Sequence, residues 1–144
     1  MATQTTPEIN ESDLKSIISE VIDDINKAIP IIKSLLESAS FSLNEGNFEE
    51  TEKILSPTIA TLNFISQIIG VLESEIVDEN IIKNIKINNE ELITVQKRWI
   101  DKIEELKDSI NKKDLVRASD IIAYEFPYEI ENQVNILNTL LSKS

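Results

Sequence analysis

Residues 43 to 50 read LNEGNFEE, and this stretch carries the clearest signals for where one helix ends and the next begins. Gly46 can adopt the left-handed backbone conformation that ends many helices. Asn47 can cap the following helix, and Glu50 lies three residues further on, as in a capping box. Two helices joined by so short a turn lie side by side, so the stretch predicts a helical hairpin.

Apolar residues on both sides of this turn recur at steps of three and four, which places them along one face of a helix. The first helix carries Leu14, Ile18, Val21, Ile25, Ile29, Ile32, Leu36, Ala39 and Leu43; the second carries Phe48, Leu55, Ile59, Leu62, Ile65, Ile69, Leu72 and Ile76. Phe64, Ile68 and Val71 widen the apolar surface of the second helix. That helix is therefore predicted to be central in the fold or to face a second subunit as well.

A second helical hairpin is predicted in the C-terminal half. Residues 77 to 89 mix isoleucines with Asp and Asn, and we interpret them as the long connection, with one helical turn. The third helix then runs from about Asn89, and Asp114 caps the fourth. Shifting the chain by 67 residues aligns residues 42 to 55 with residues 109 to 122, so the two halves resemble related hairpins.

The predicted fold is all-α and resembles a four-helix bundle built from these two hairpins. Residues 1 to 11 are polar and are expected to form a disordered lead-in, and residues 12 to 144 form a single domain. Three prolines lie inside the predicted helices, at Pro30, Pro57 and Pro127. Because proline lacks the amide proton that a helix needs, we expect a kink at each of them, or a restart at Ser56-Pro57.

The chain is strongly acidic, with 14 Lys and Arg against 26 Asp and Glu and a net charge of −12. Such a charge repels nucleic-acid phosphates and anionic membranes, so neither is an expected partner. The N-terminus lacks the basic and apolar regions of a signal peptide, and no stretch was expected to reach the length of a membrane span. These features favour a cytoplasmic protein.

Side chains for common catalytic chemistry are missing from the sequence. There is no His and no Cys, which excludes histidine-based triads, cysteine nucleophiles and His or Cys metal sites. With two glycines in the chain, a phosphate-binding loop cannot be built. Carboxylates such as Glu20 and Asp24 share a helical face, but they lie between apolar positions and are expected to face water. We therefore predict no enzyme activity, no cofactor and no metal.

Residues 120 to 131, DIIAYEFPYEIE, are the one unusual stretch in the fourth helix. One interpretation is a structural hinge at Pro127, in which the Tyr124 ring packs and its hydroxyl donates to a freed backbone carbonyl. The other is a recognition patch formed by Tyr124, Glu125, Tyr128 and Glu129. Trp99, the only tryptophan, could line a cavity together with Tyr124. The residues singled out as a patch or hinge are Trp99, Tyr124, Glu125, Pro127 and Tyr128.

The same stretch is similar to a known pattern. Asp114, Asp120-Ile121-Ile122, Tyr124-Glu125 and Pro127 resemble a "D…DIL-x-YE-x-x-P" ending of small, uncharacterised helical proteins of Firmicutes. Here Phe126 alone separates Glu125 from Pro127, one residue fewer than in that pattern. The resemblance implies a helical fold and a bacterial source, and it implies no activity.

Three functions remain open on the sequence alone. The preferred hypothesis is a non-enzymatic protein-interaction module, an adaptor, chaperone-like partner or assembly factor that binds another protein or itself as a homodimer. The second is an acidic inhibitor or immunity-type protein that binds a basic partner, with association steered by charge. The third is a helical bundle that binds a small molecule beside Trp99 and Tyr124.

Overall fold

The computed structural model describes residues 10–144, and these residues are almost entirely helical. The elements are α1 (Glu11–Asn44), α2 (Phe48–Val71), α3 (Glu79–Ile82), β1 (Lys86–Ile87), β2 (Glu90–Glu91), α4 (Leu92–Asn111), α5 (Leu115–Asp120) and α6 (Phe126–Lys143). Two π-helical segments, Leu72–Ile76 and Ile121–Glu125, extend α2 and join α5 to α6. The all-α prediction is confirmed. Most of the predicted lead-in lies outside the described residues, although Asn10 already caps α1 through a 2.8 Å bond from the Asp13 amide.

The turn between α1 and α2 has the geometry that the sequence predicts. Gly46 has a positive φ of 77°, its amide donates to the Leu43 carbonyl, and the Asn47 amide donates to the Ser42 carbonyl. The Asn47 side chain accepts from the Glu50 amide at 3.1 Å. Since the Asn47 amide is used to end α1, it is not left for the Glu50 side chain, and only one half of the capping box forms.

The turn between α4 and α5 repeats this arrangement 67 residues later. Lys113 has a φ of 57° and its amide donates to Ile110, while the Asp114 amide donates to Ser109. The Asp114 side chain caps α5 by accepting from the Arg117 amide at 3.1 Å. The aligned positions 46 and 113 therefore share one backbone conformation, although only the first is a glycine.

The prolines do not divide the helices. α1 continues through Pro30 and α2 through Pro57, so the restart expected at Ser56-Pro57 is wrong. Pro127 lies in the first turn of α6, directly after the second π-helical segment. There the Phe126 amide donates to the Ile121 carbonyl, five residues back, because the wider π turn absorbs one extra residue before the proline.

The connection between the hairpins contains more structure than predicted. Its single helical turn, α3, is confirmed. The antiparallel pair β1–β2 was not predicted, and it delays the start of α4 to Leu92. Asn88 and Asn89 form its two-residue turn with φ of 50° and 67°, the backbone that a tight hairpin requires. Ile85 and Ile87 are buried and hold the connection against the core.

One apolar core runs through all four long helices. The predicted stripes of the first two helices supply much of it, including Ile18 and Leu62, and α4 and α6 contribute residues such as Leu106 and Ile136. Several apolar residues remain at the surface instead: Ile17, Ile31, Leu35, Phe41, Phe64, Ile93, Ile100, Leu115 and Val116. Exposed apolar residues that lie near each other are candidates for contact with another molecule.

Candidate interaction surfaces

Trp99 belongs to the core and not to a surface patch. Its side chain is 1% exposed, and its ring centroid lies 5.6 Å from that of Phe126. The indole Nε1 donates to the Ser66 hydroxyl on α2 at 3.0 Å. The bond satisfies the only polar atom of the ring and ties α4 to α2.

Tyr124 lies far from this environment, since its side chain is 76% exposed. The expectation that its ring packs at the hinge is therefore wrong, and the two rings cannot line one cavity. Tyr128, one turn further along, is half exposed, and the Arg98 guanidinium lies over its ring at 5.9 Å from the centroid. Of the predicted patch, Tyr124 and Tyr128 remain at the surface with the partly buried Pro127 between them.

Glu125 is occupied by charged partners within the chain. Its carboxylate accepts from Lys102 Nζ at 2.5 Å and from Arg117 Nη1 at 2.7 Å. Arg117 also pairs with Glu105, which closes a four-residue network between α4 and the α5–α6 segment. The network accounts for a partly buried carboxylate at the end of the π-helical segment, and no ligand is needed to balance its charge.

The pKa values in this network shift as paired charges require. Burial acts against the ionised Glu125, but the hydrogen bonds from Lys102 and Arg117 outweigh it and lower its pKa. The bond to Glu125 raises the pKa of Lys102, and the bonds to Glu105 and Glu125 raise the pKa of Arg117. All three groups are charged at neutral pH.

A second ion-pair cluster lies one turn along both helices. Arg98 Nε donates to Glu129 at 2.5 Å and Arg98 Nη1 donates to Glu90 at 2.6 Å. Glu129 is only 2% exposed, so its charge is removed from water and compensated by Arg98. Hydrogen bonding to Glu90 is the largest cause that raises the pKa of Arg98, and the same bond lowers the pKa of Glu90.

Sequence reasoning placed Glu129 in a recognition patch and missed Arg98 and Lys102. The spacing of these residues was a usable signal. Arg98 and Lys102 lie one helical turn apart on α4, and Glu125 and Glu129 lie one turn apart where the π-helical segment continues into α6. Two bases and two acids at equal spacing predict two ion pairs if the helices face each other. Whether the two helices face each other depends on the tertiary structure and does not follow from the spacing.

Next to this cluster, α6 presents a buried polar layer. Asn132 and Gln133 are buried, and the Asn88 side chain donates to Asn132 at 2.9 Å. Within residues 10–144, neither the Gln133 amide oxygen nor its nitrogen has a hydrogen-bond partner. A buried amide without partners lowers the stability of the fold.

A groove lies between α1 and α2, beside their turn; we call it the acidic groove. Its volume is about 520 Å³ and its lining residues are Ser34, Glu37, Ser38, Phe41, Ser42, Glu45, Asn47, Glu50 and Ile54. Phe41 is 69% exposed and Ile54 is partly buried, so the groove combines an apolar centre with a carboxylate rim. The arrangement suits a ligand that presents an apolar group and positive charge.

A second groove lies between α2 and α4; we call it the neutral groove. It encloses about 530 Å³ and is lined by Glu52, Leu55, Ser56, Ile59, Ala60, Asn63, Leu106, Lys107, Ile110 and Asn111. Leu55, Ile59, Leu106 and Ile110 are buried and form the floor, and Ala60 is exposed. The one carboxylate and the one ammonium group in the lining give it no net charge.

A family model described as "Domain of unknown function (DUF8042)" matches residues 20–133. The chain belongs to this family. The match begins inside α1 and ends inside α6, so it includes both helical hairpins, both ion-pair clusters and both grooves. No curated protein and no solved structure matches the chain.

The helical region Phe48–Ile76 corrects one expectation from the sequence. Residues 54 to 72 carry no charged side chain, and this region has a mean hydropathy of 1.5, which is enough by length and composition to cross a membrane. The statement that no stretch reaches this length was therefore wrong. One such helix is weak evidence for a span, because a core helix passes the same test, and the buried face of α2 lies in the common core.

Carboxylates on the helix surfaces are not gathered into a metal site. Within residues 10–144 no group of three or more His, Cys, Asp or Glu could hold a metal ion. Asp23 pairs with Lys27 at 3.1 Å and Glu49 with Lys53 at 3.6 Å, one helical turn along in each case. Exposed pairs of this kind contribute little to stability and keep the surface solvated.

Proposed function

We propose that the chain is a non-enzymatic protein-interaction module of the bacterial cytoplasm, acting as an adaptor, chaperone-like partner or assembly factor. The supporting observation is the acidic groove, where Phe41 is exposed within a rim of Glu37, Glu45 and Glu50. An exposed phenylalanine in a concave site is a typical anchor for a protein partner. The proposal includes a Firmicutes source and a four-helix bundle bent at Pro30, Pro57 and Pro127.

The groove also indicates the chemistry of the partner. Three carboxylates around an apolar centre favour a basic segment that carries one large apolar side chain. The net charge of −12 would attract such a segment from a distance, and the apolar contact would hold it after docking. Enzymatic use of the groove is not favoured, because no serine of the lining donates a hydrogen bond to a glutamate of the lining among the described residues, so the lining shows no activated nucleophile.

An acidic inhibitor or immunity-type protein is the second candidate, and it would use the same groove. In that case the partner is a folded basic enzyme, such as a nuclease or toxin, whose active site the chain blocks. The two candidates differ in outcome, since an inhibitor abolishes its partner's activity and an adaptor leaves it intact. Small-molecule binding beside Trp99 and Tyr124 is not favoured, because the two rings lie in different environments.

The test uses the absence of cysteine from the natural chain. Ser38→Cys gives a single thiol in the lining of the acidic groove and leaves Phe41 in place, and Ile31→Cys gives a matched thiol on the same helix, where Ile31 is 62% exposed outside the groove lining. Each variant is labelled with a photo-crosslinker and irradiated in bacterial lysate. We expect a defined protein adduct at position 38 only, and its loss when Phe41 is also changed to Ala.

Salt and charge variants identify the nature of the contact. The adduct at position 38 should decline between low and high salt and should be lost when Glu37, Glu45 and Glu50 are changed together to Gln. Equal labelling at positions 31 and 38, or an adduct that salt and the glutamine variant leave unchanged, would contradict the proposal.

A further inference from the structure

From Ser56 onward, the exposed face of α2 differs from the rest of the surface in having no charge. The residues at this face, all exposed, follow one another at steps of four and three: Ser56, Ala60, Asn63, Gln67, Gly70 and Ser74. Such spacing forms a straight seam along a helix, of the kind that packs against another helix. Charged residues make up 28% of the chain, yet none lies between Lys53 and Glu73.

The opposite wall of the neutral groove, on α4, carries two exposed isoleucines among the charged Lys97, Glu104 and Lys107. Lys107 lines the groove on α4, and Ile100 and Ile93 precede it by seven and fourteen residues, so all three share one face of the helix. Ile100 is 57% exposed and Ile93 is more exposed still. These two isoleucines therefore border the groove beyond the segment that Lys107 lines.

The helices α2 and α4 that form the two walls are antiparallel and lie side by side along much of their length. The groove lining joins the first half of α2 to the end of α4, and the bond from Trp99 to Ser66 joins the middles of the two helices. Ile100 and Ile93 thus lie opposite the region of Gln67, Gly70 and Ser74. At 1.5 Å per residue, the seam from Ser56 to Ser74 is roughly 27 Å long.

Charge indicates which occupant fits this groove. A basic partner would be bound by carboxylates, and those lie in the acidic groove. A second copy of this chain also carries −12, so two copies repel one another except where their facing surfaces lack charge. The centre of a protein interface is depleted of charged residues, which is the composition of the α2 seam; on the Ile93–Ile100 edge, the exposed Lys97 and Glu104 carry opposite charges.

We infer that the neutral groove is the contact between two copies of the chain, each placing its α2 seam and the Ile93–Ile100 edge against the same face of the other. Such an interface is two-fold symmetric and closes on itself as a dimer. Since it uses neither Phe41 nor the acidic rim, it leaves the acidic groove of each copy open. The inference therefore stands or falls independently of the proposed function.

The experiment measures the oligomeric state of the full chain by light scattering and sedimentation over a range of concentrations. The wild type is expected at twice the 16.3 kDa monomer mass. Ile100→Glu and Gln67→Glu each place a carboxylate at the contact in both copies, so both variants should be monomers. Ile31→Glu is the matched control, with a similarly exposed isoleucine outside both grooves, and should remain a dimer.

Each alternative result decides the question. Circular dichroism establishes that all variants keep the helical fold. A wild type that is a monomer up to its solubility limit overturns the inference, as does a dimer that Ile31→Glu disrupts and Ile100→Glu does not. Binding of the monomer to zwitterionic vesicles, lost in Ile100→Glu, would assign the same face to lipid and would also overturn it.

Discussion

The two flanks of α4 differ in how their side chains are used. On one flank, Arg98 pairs with Glu129 on α6, and Lys102 pairs with Glu125 in the π-helical segment that precedes α6. On the other, Ile93 and Ile100 point away from the core and have no comparable cover. A single amphipathic helix thus carries a charged flank that holds the fold together and an apolar flank that is available to another molecule.

The difference shows that a charged residue need not be a surface feature and an apolar residue need not be a core feature. The acidic chain places its best-compensated charges inside, where Glu129 is almost fully buried. Variants on the charged flank should therefore change the free energy of unfolding. Variants on the apolar flank should change association and leave the unfolding of the monomer nearly unaltered.

The largest expected effect is that of Glu129→Ala. Removing the carboxylate breaks a buried charged hydrogen bond and leaves Arg98 with Glu90 as its remaining partner, at a cost of about 2 kcal/mol in the free energy of unfolding. Urea denaturation followed by Trp99 fluorescence measures it. Glu131→Ala, two residues along and exposed, is the control and should change stability by less than about 0.5 kcal/mol. Equal effects would show that the buried pair does not stabilise the charged flank.

Glu125→Gln should have a smaller effect that depends on pH. Because the folded-state pKa of Glu125 lies below its ordinary value of 4.5, its stabilisation is complete above that pH and is lost as the pH falls through the folded pKa. At pH 7 we expect a loss of about 1 kcal/mol, and a flatter decline of stability in acid than in the wild type. Denaturant titrations between pH 3 and pH 7 give both quantities. A variant whose acid decline matches that of the wild type would contradict the assignment.

Lys113→Gly tests the turn that leads from α4 to Arg117 on the charged flank. Lys113 has the positive φ that costs a non-glycine residue about 1 kcal/mol, so glycine should stabilise the fold by up to that amount. Gly46→Ala at the equivalent turn should cause a loss of similar size. Thermal denaturation of the two variants measures both effects. Melting temperatures that shift in the same direction would contradict the shared turn geometry.

Ile100→Ser should have the smallest effect on folding. Its side chain is already exposed in the described structure, so the free energy of unfolding measured on monomer should change by less than about 0.5 kcal/mol. Denaturation at the lowest workable concentration tests this. A loss comparable to that of Glu129→Ala would show that the apolar flank belongs to the core and would remove the contrast between the flanks.

Much of the fold could be predicted because it depends on neighbours in sequence. The end of α1 at Gly46 and the cap at Asn47 follow from the conformations of those residues. The antiparallel β1–β2 turn at Asn88 and Asn89 was missed, although two asparagines in succession tolerate the backbone it needs. Helix breaking at Pro57 was overestimated, because packing of the α2 face preserves the helix on both sides of the proline.

The candidate site could be predicted less well. Trp99 and Tyr124 were grouped because both are aromatic, yet one lies in the core and the other in solvent. Phe41 and Ile54 were not singled out, since nothing in their local pattern shows that they meet at a groove rimmed by glutamates. The α2 seam had a usable signal, its lack of charge, but the edge at Ile100 depends on where α4 lies.

The helical class, the core faces of the helices and the two matching turns follow from the amino-acid sequence, because helix periodicity and backbone preferences act over a few residues. The pairing of Arg98 with Glu129, the position of Phe41 among carboxylates and the exposure of Ile100 follow from the packing of the helices. Those facts depend on which helices pack together and at what rotation, and the side chains concerned lie tens of residues apart in the chain.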